Sequence, residues 1–134
     1  KDNLKMSGYP AKVKSFDWVG NTPYLVTSGA NQAICWPFDG KDGPKGRKPI
    51  CVADGGKQYS TFIKSLPDEE AIFTGFRDGT VLLSEIDENK NANIIRNPTG
   101  AEVTTIALTS DRSHILIGDS KGNILWSTLW AGRE

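Results

Sequence analysis

Histidine is nearly missing from this chain: His114 is the single one among 134 residues. Relays that pass protons between histidines, and metal sites built from several imidazoles, are therefore excluded. Cysteine is scarce too. Cys35 and Cys51 are too few for a disulfide scaffold, and no CxxC spacing is present for zinc. They fall on neighbouring strands in the frame developed below, where a bond is geometrically possible; two thiols in a reducing compartment is the simpler reading. There is no charge of one sign, since 16 basic residues balance 16 acidic ones. A general nucleic-acid binder needs a basic face to neutralise phosphates, and the composition offers none. No apolar run approaches the ~20 residues that span a bilayer. The polar start, Lys1, Asp2, Asn3, Leu4, Lys5, has no signal-peptide pattern. A cytoplasmic location is expected. So is a fragment or a processed product, because the first residue is not Met.

What is present is repetition. Residues 60–83 shifted by 43 positions align Ile63 with Ile106, Asp68 with Asp111, Gly75 with Gly118, Gly79 with Gly122 and Val81 with Ile124. Shifted back by 47, they align with Phe16, Leu25, Val26, Thr27 and Ile34. Units of this length built from short strands belong to propellers and related arrays. Each unit reads as four strands, a to d. In the first, a is 12–18, b is 24–27, c is 33–36 and d is 50–53, with a long polar connection over 39–49. In the second, a is 61–66, b 71–74, c 80–86 and d 93–96. In the third, a is 103–108, b 114–117 and c 123–129. Glycine and Asp/Asn punctuation marks the turns, and no stretch sustains a 3.6-residue period.

The third unit ends without a strand d. Residues 3–6 align with 50–53 at the 47-residue offset, so the order is d-abc three times over. That phase lets two chain ends zip together in a closed ring.

With this a-b-c-d order, the roughly 43-residue period, Asn21, Asp68 and Asp111 in the first turns, and the runs Gly79 to Leu83 and Gly122 to Trp126, the chain resembles a WD40-type β-propeller. The Trp-Asp dipeptide of that family reads Trp36-Pro37, Leu83-Ser84 and Trp126-Ser127 here. The Gly-His signal is missing, so the family's Trp-Ser-His-Asp network cannot form in full. The resemblance implies an all-β fold: a partial propeller of three four-stranded antiparallel blades, at about 9–53, 57–96 and 100–129, with an N-terminal outer strand at 2–6. Propellers close with about four to eight blades. Either a longer chain supplies the missing blades, or two copies associate, residues 3–6 of one closing the third sheet of the other. A dimer is the expected self-association, and the segment alone is not expected to be a well-behaved monomer.

Candidate chemistry is thin. No nucleophile elbow, Walker loop or Rossmann fingerprint occurs. Asp68, Glu69 and Glu70 read as a solvated turn. The run Asp39 to Gly43 begins like an EF-hand, yet Ile50 stands where the closing glutamate belongs. No cofactor and no metal are expected, and no catalytic residue. His114 reads as a blade residue with a partly buried ring. The resemblance implies docking of protein partners on the face built by the d–a and b–c loops. Tyr9, Tyr59 and Arg77 lead as anchors, because tyrosine and arginine dominate interface energetics. Asp78 and Lys121 accompany them. Lys45 and Arg47, in the basic connection 41–48, suit an acidic partner. Trp18, Trp36 and Trp126 are expected in the core, with Trp130 covering the open blade. The function expected is a non-catalytic protein-interaction scaffold. The alternatives are a propeller enzyme or carbohydrate-binding module completed by residues elsewhere, and a structural module for self-assembly. Contact with nucleic acid or membrane is not expected.

Overall fold

The computed structural model describes residues 3–87 and 92–129. Among them there are strands and turns and no helix. The first sheet holds β1 (Phe16–Trp18), β2 (Tyr24–Thr27), β3 (Ala33–Pro37) and β4 (Ile50–Val52). The second holds β5 (Ser60–Ser65), β6 (Ala71–Phe76), β7 (Val81–Glu85) and β8 (Ala92–Arg96). The third holds β9 (Val103–Leu108), β10 (His114–Asp119) and β11 (Ile124–Thr128). Every pairing is antiparallel between strands adjacent in the chain. The array is an open, partial β-propeller, as the repeats imply.

Side chains alternate across each strand, so every sheet has a leading face toward the preceding unit and a trailing face toward the next. Val26, Cys35 and Val52 on the trailing face of the first sheet meet Ile72, Phe76 and Leu82 on the leading face of the second. Phe73 and Val81 on the trailing face of the second meet Ile106, Ile115 and Ile117 of the third. Strand β6 lies between both clusters, and all six of its residues are buried. Polar side chains fix the spacing of the inner strands. Ser15 Oγ accepts from Ile63 N at 3.0 Å, Asp17 Oδ2 accepts from Ser65 N at 3.0 Å, and Thr61 Oγ1 donates to the Val103 carbonyl at 2.6 Å.

Three expectations need correction. First, among the described residues the third sheet has three strands, and residues 3–6 form none. Asn3 and Leu4 lie beside Phe38 and the 41–45 connection of the first sheet. That is two blades away from β11, and three blades cannot bring the ends of a ring together. Second, Trp18 and Trp126 are 52% and 60% exposed and Trp36 is half-buried. These residues lie on the leading face of the first sheet and the trailing face of the third, where no further blade covers them. Third, Ile34 pairs with Thr27 as Leu82, and not Val81, pairs with Thr74. The second b–c turn is one residue longer, and a one-residue slip moves a side chain to the opposite face. The same alternation bears out the simpler reading of the cysteines. Cys35 pairs with Ile50 and Cys51 with Ile34, so the thiols point to opposite faces and both are free. Trp130 lies outside the described residues.

Gly79 shows how tightly the sheets are joined. Its φ of 97° is left-handed, and a Cβ there would run into Thr99 and the Ala101 carbonyl at the start of the third unit. Gly122, the matching residue of the third turn, has φ 85° but open space around it. Gly79→Ala is expected to cost roughly 1–3 kcal/mol or more, and Gly122→Ala only the left-handed strain at the low end of that range; urea midpoints at unchanged slope measure both. Burial, with Cys51 nearby, pushes the Cys35 thiol from 9.0 up to about 12. A raised folded-state pKa means that stability is intact below about pH 9 and declines as pH rises from there toward 12. A thiol reagent at neutral pH should therefore modify Cys51 in the folded protein and Cys35 only on unfolding.

Candidate functional site

The b–c turns and d–a connections are tied to one another by backbone hydrogen bonds, and this makes one rim across all three sheets. The Asn31 carbonyl accepts from Gly55 N at 2.7 Å, and the Asp78 carbonyl accepts from Thr99 N and Gly100 N at 2.9 Å each. Within the units, Arg77 N donates to the Tyr59 carbonyl and Ser120 N to the Glu102 carbonyl, both at 2.9 Å. Asn31 adds a side-chain bond from Nδ2 to the Gly56 carbonyl. The rim is therefore held by the main chain, and its side chains project from a fixed base.

Tyr59 and Arg77 stand together on it. The guanidinium carbon lies 4.8 Å from the centre of the Tyr59 ring, a cation–π contact that holds an exposed arginine over a half-buried aromatic. Asp78 is next to them, but its carboxylate caps its own turn by accepting from Thr80 N. Lys121 is exposed on the third turn, where its amide donates to Asp119 Oδ1. Asp119 also accepts from Asn123 N, and these bonds, the Asn123 one foremost, hold its carboxyl below the usual carboxylate range. Further along the rim, Lys14 Nζ reaches Glu102 Oε2 at 2.5 Å and ties the first unit to the third.

The other named residues are not on this patch. Tyr9 folds down onto the leading face of the first sheet. Its hydroxyl accepts from Trp36 Nε1 at 2.7 Å and is hydrogen-bonded to Thr27 Oγ1, so it is committed within the chain. Lys45 and Arg47 occupy the β3–β4 connection. In an antiparallel sheet that connection lies at the end opposite the b–c turns. Arg47 Nη1 is 2.8 Å from both the Asp39 carbonyl and Oδ1, and this hydrogen bond holds the Asp39 carboxyl low. Lys45 is exposed beside Asp42, Phe38 and Leu4.

That opposite end carries a second set of polar groups. Arg112 bridges to Asp68 at 3.3 Å and Glu69 at 3.9 Å, joining the a–b turns of the second and third units. Asp111 accepts from Ser113 Oγ, Ser113 N and Thr109 Oγ1, and its carboxyl drops to about 2. Ser113 Oγ in turn lies 2.7 Å from His114 Nδ1, and the imidazole tilts against Trp126 with ring centres 4.6 Å apart. In this chain of contacts the serine sits between carboxylate and imidazole. That order keys a turn; a nucleophile needs its base between itself and the carboxylate.

Three repeats imply apolar ends that need cover; what sequence reasoning missed is that Trp18 and Trp126 lie on those ends. The alignments of Phe16 with Ile63 and of Val81 with Ile124 hold the signal, because each pairs a residue between two sheets with one that has no neighbouring sheet.

No protein-family model matches this sequence, and no curated protein does. A computationally designed protein, Ika4, matches over 96% of this chain and 98% of its own at 12% identity, with a TM-score of 0.47. A chain of the mitotic checkpoint complex, a WD40 propeller protein, superposes on 92% of this one at 15% identity with a TM-score of 0.65. The match spans 36% of that chain, so this chain shares a fold with about a third of its length.

Proposed function

We propose that this protein is a non-catalytic scaffold that binds a protein partner on the rim formed by its b–c turns and d–a connections. The Tyr59–Arg77 stack carries this reading. An arginine already held over an aromatic ring loses little freedom when a partner covers it, which is the character of an interface anchor. Asp78 and Lys121 supply flanking charges of opposite sign. A similarly folded chain is a component of a named protein complex, which agrees with a docking role. Two free thiols suit a reducing compartment such as the cytoplasm.

The partner's matching surface needs a carboxylate or carbonyl cluster for the Arg77 guanidinium, next to an apolar group that covers the Tyr59 ring. Tyr59→Ala and Arg77→Ala should each reduce capture of that partner by about tenfold or more. Neither should change the unfolding free energy from urea titration by more than about 0.5 kcal/mol, since neither side chain is in the core. Quantitative cross-linking capture from cell extract, with Arg47→Ala as a control at the far end of the sheets, measures this. Equal recovery by wild type and both rim variants would refute the proposal.

A further inference from the structure

Equivalent positions in the three sheets have opposite exposures depending on whether a neighbouring sheet is present. On the trailing faces, Val26 and Phe73 are fully buried, and so is Val81. Its counterpart in the third sheet, Ile124, is 76% exposed, and Trp126 two residues on is 60% exposed. On the leading faces, Ile63 is 2% exposed and its counterpart Phe16 is 65% exposed, with Trp18 beside it at 52%. Among the described residues, apolar side chains thus stand uncovered on two faces of opposite kind. The trailing face of the third sheet and the leading face of the first are the two halves of a joint that the chain already builds twice.

We infer that two copies of this chain close on each other head to tail, trailing face of the third sheet against leading face of the first, to form a six-bladed ring. Each copy carries both halves of the missing joint, so a two-fold axis along the centre of the ring makes two identical contacts and leaves no apolar face open. Six blades fall within the about four to eight that close. A head-to-tail contact that did not close would grow without limit.

The hydrogen-bonding pattern of the existing joints supplies the register. Gly55 N reaches the Asn31 carbonyl and Gly100 N the Asp78 carbonyl, each a glycine of the connection meeting the preceding b–c turn. In the third turn the corresponding carbonyl is that of Lys121, and the corresponding glycine is Gly8 of the other copy. Nothing lies within 4 Å of a Cβ at Gly8, so its backbone is open to approach. On the inner strands, Thr105 takes the place of Ser15 and comes opposite Phe16 of the other copy. The outer edge of β11 has no strand beside it among the described residues. Residues 3–6 precede the first sheet and arrive at that edge once the second copy docks, completing the fourth strand there.

Light scattering on the full chain at roughly 100 μM should give twice the 14.6 kDa chain mass. Trp126→Asp and Phe16→Asp should each weaken the dimer by about 30-fold or more. Both positions are exposed in the single chain, so far-UV dichroism and the urea transition of the monomer should be retained; Ile124→Asp and Trp18→Asp are the second pair should either first variant not fold. Mixing the two single variants should restore a dimer through the one intact contact, because each supplies the face that the other lacks. Deleting residues 1–6 should also weaken the dimer. A compact wild-type monomer, open-ended growth, a dimer indifferent to both substitutions, or a mixture that stays monomeric would each overturn the inference.

Discussion

Face-to-face packing between consecutive sheets is the contact on which everything else in this molecule depends. A short antiparallel sheet with apolar side chains on both faces has nothing to fold around by itself. It becomes stable when a neighbour covers each face. Only the second sheet has that cover on both sides, and it is where burial is most complete: Ile72, Phe73, Phe76 and Val81 are wholly inside. The outer sheets are each half-served. The uneven exposure of Trp18, Trp126 and Ile124 is the direct physical result.

The polar groups are organised around the same joints. Ser15, Asp17 and Thr61 hydrogen-bond from one inner strand to the next. Main-chain bonds join turns and connections at both ends. Side chains add the Asp78 and Asp119 caps and the Lys14–Glu102 pair at one end, and the Arg112 bridges, the Asp111 cap and the Arg47–Asp39 pair at the other. Side chains already paired within the chain are poorer candidates for recognition, because a partner would have to displace those bonds. Tyr9 and Arg47 are already paired in this way, with Trp36 and Thr27 and with Asp39, whereas Arg77 is held by the Tyr59 ring.

Much of this was legible from residue order. The offsets of 43 and 47 positions locate strands a, b and c of each unit to within a few residues, and strand a of the third unit and b of the first come out with the boundaries observed. Gly79 was readable as a hairpin glycine, and its φ is positive. The errors have a common origin. Tryptophans recurring at apolar strand positions read as core because a pattern of alternation reports which face a residue takes, but not whether that face is covered. The contacts of Tyr9 with Thr27 and Trp36 were equally illegible, because nothing in its neighbourhood in the sequence reveals them.

The amino-acid order by itself determined the all-β class, the unit length and the order of strands a, b and c within each unit. These depend on local preference and on alternation, both of which are written along the chain. Only the tertiary structure decided the single-residue register that turns Ile34 outward and Cys35 inward, the separation of the two thiols, and which apolar faces remain open. Those depend on the lengths of turns and on how many sheets stand side by side, and such relations between distant residues leave no periodic mark in the sequence.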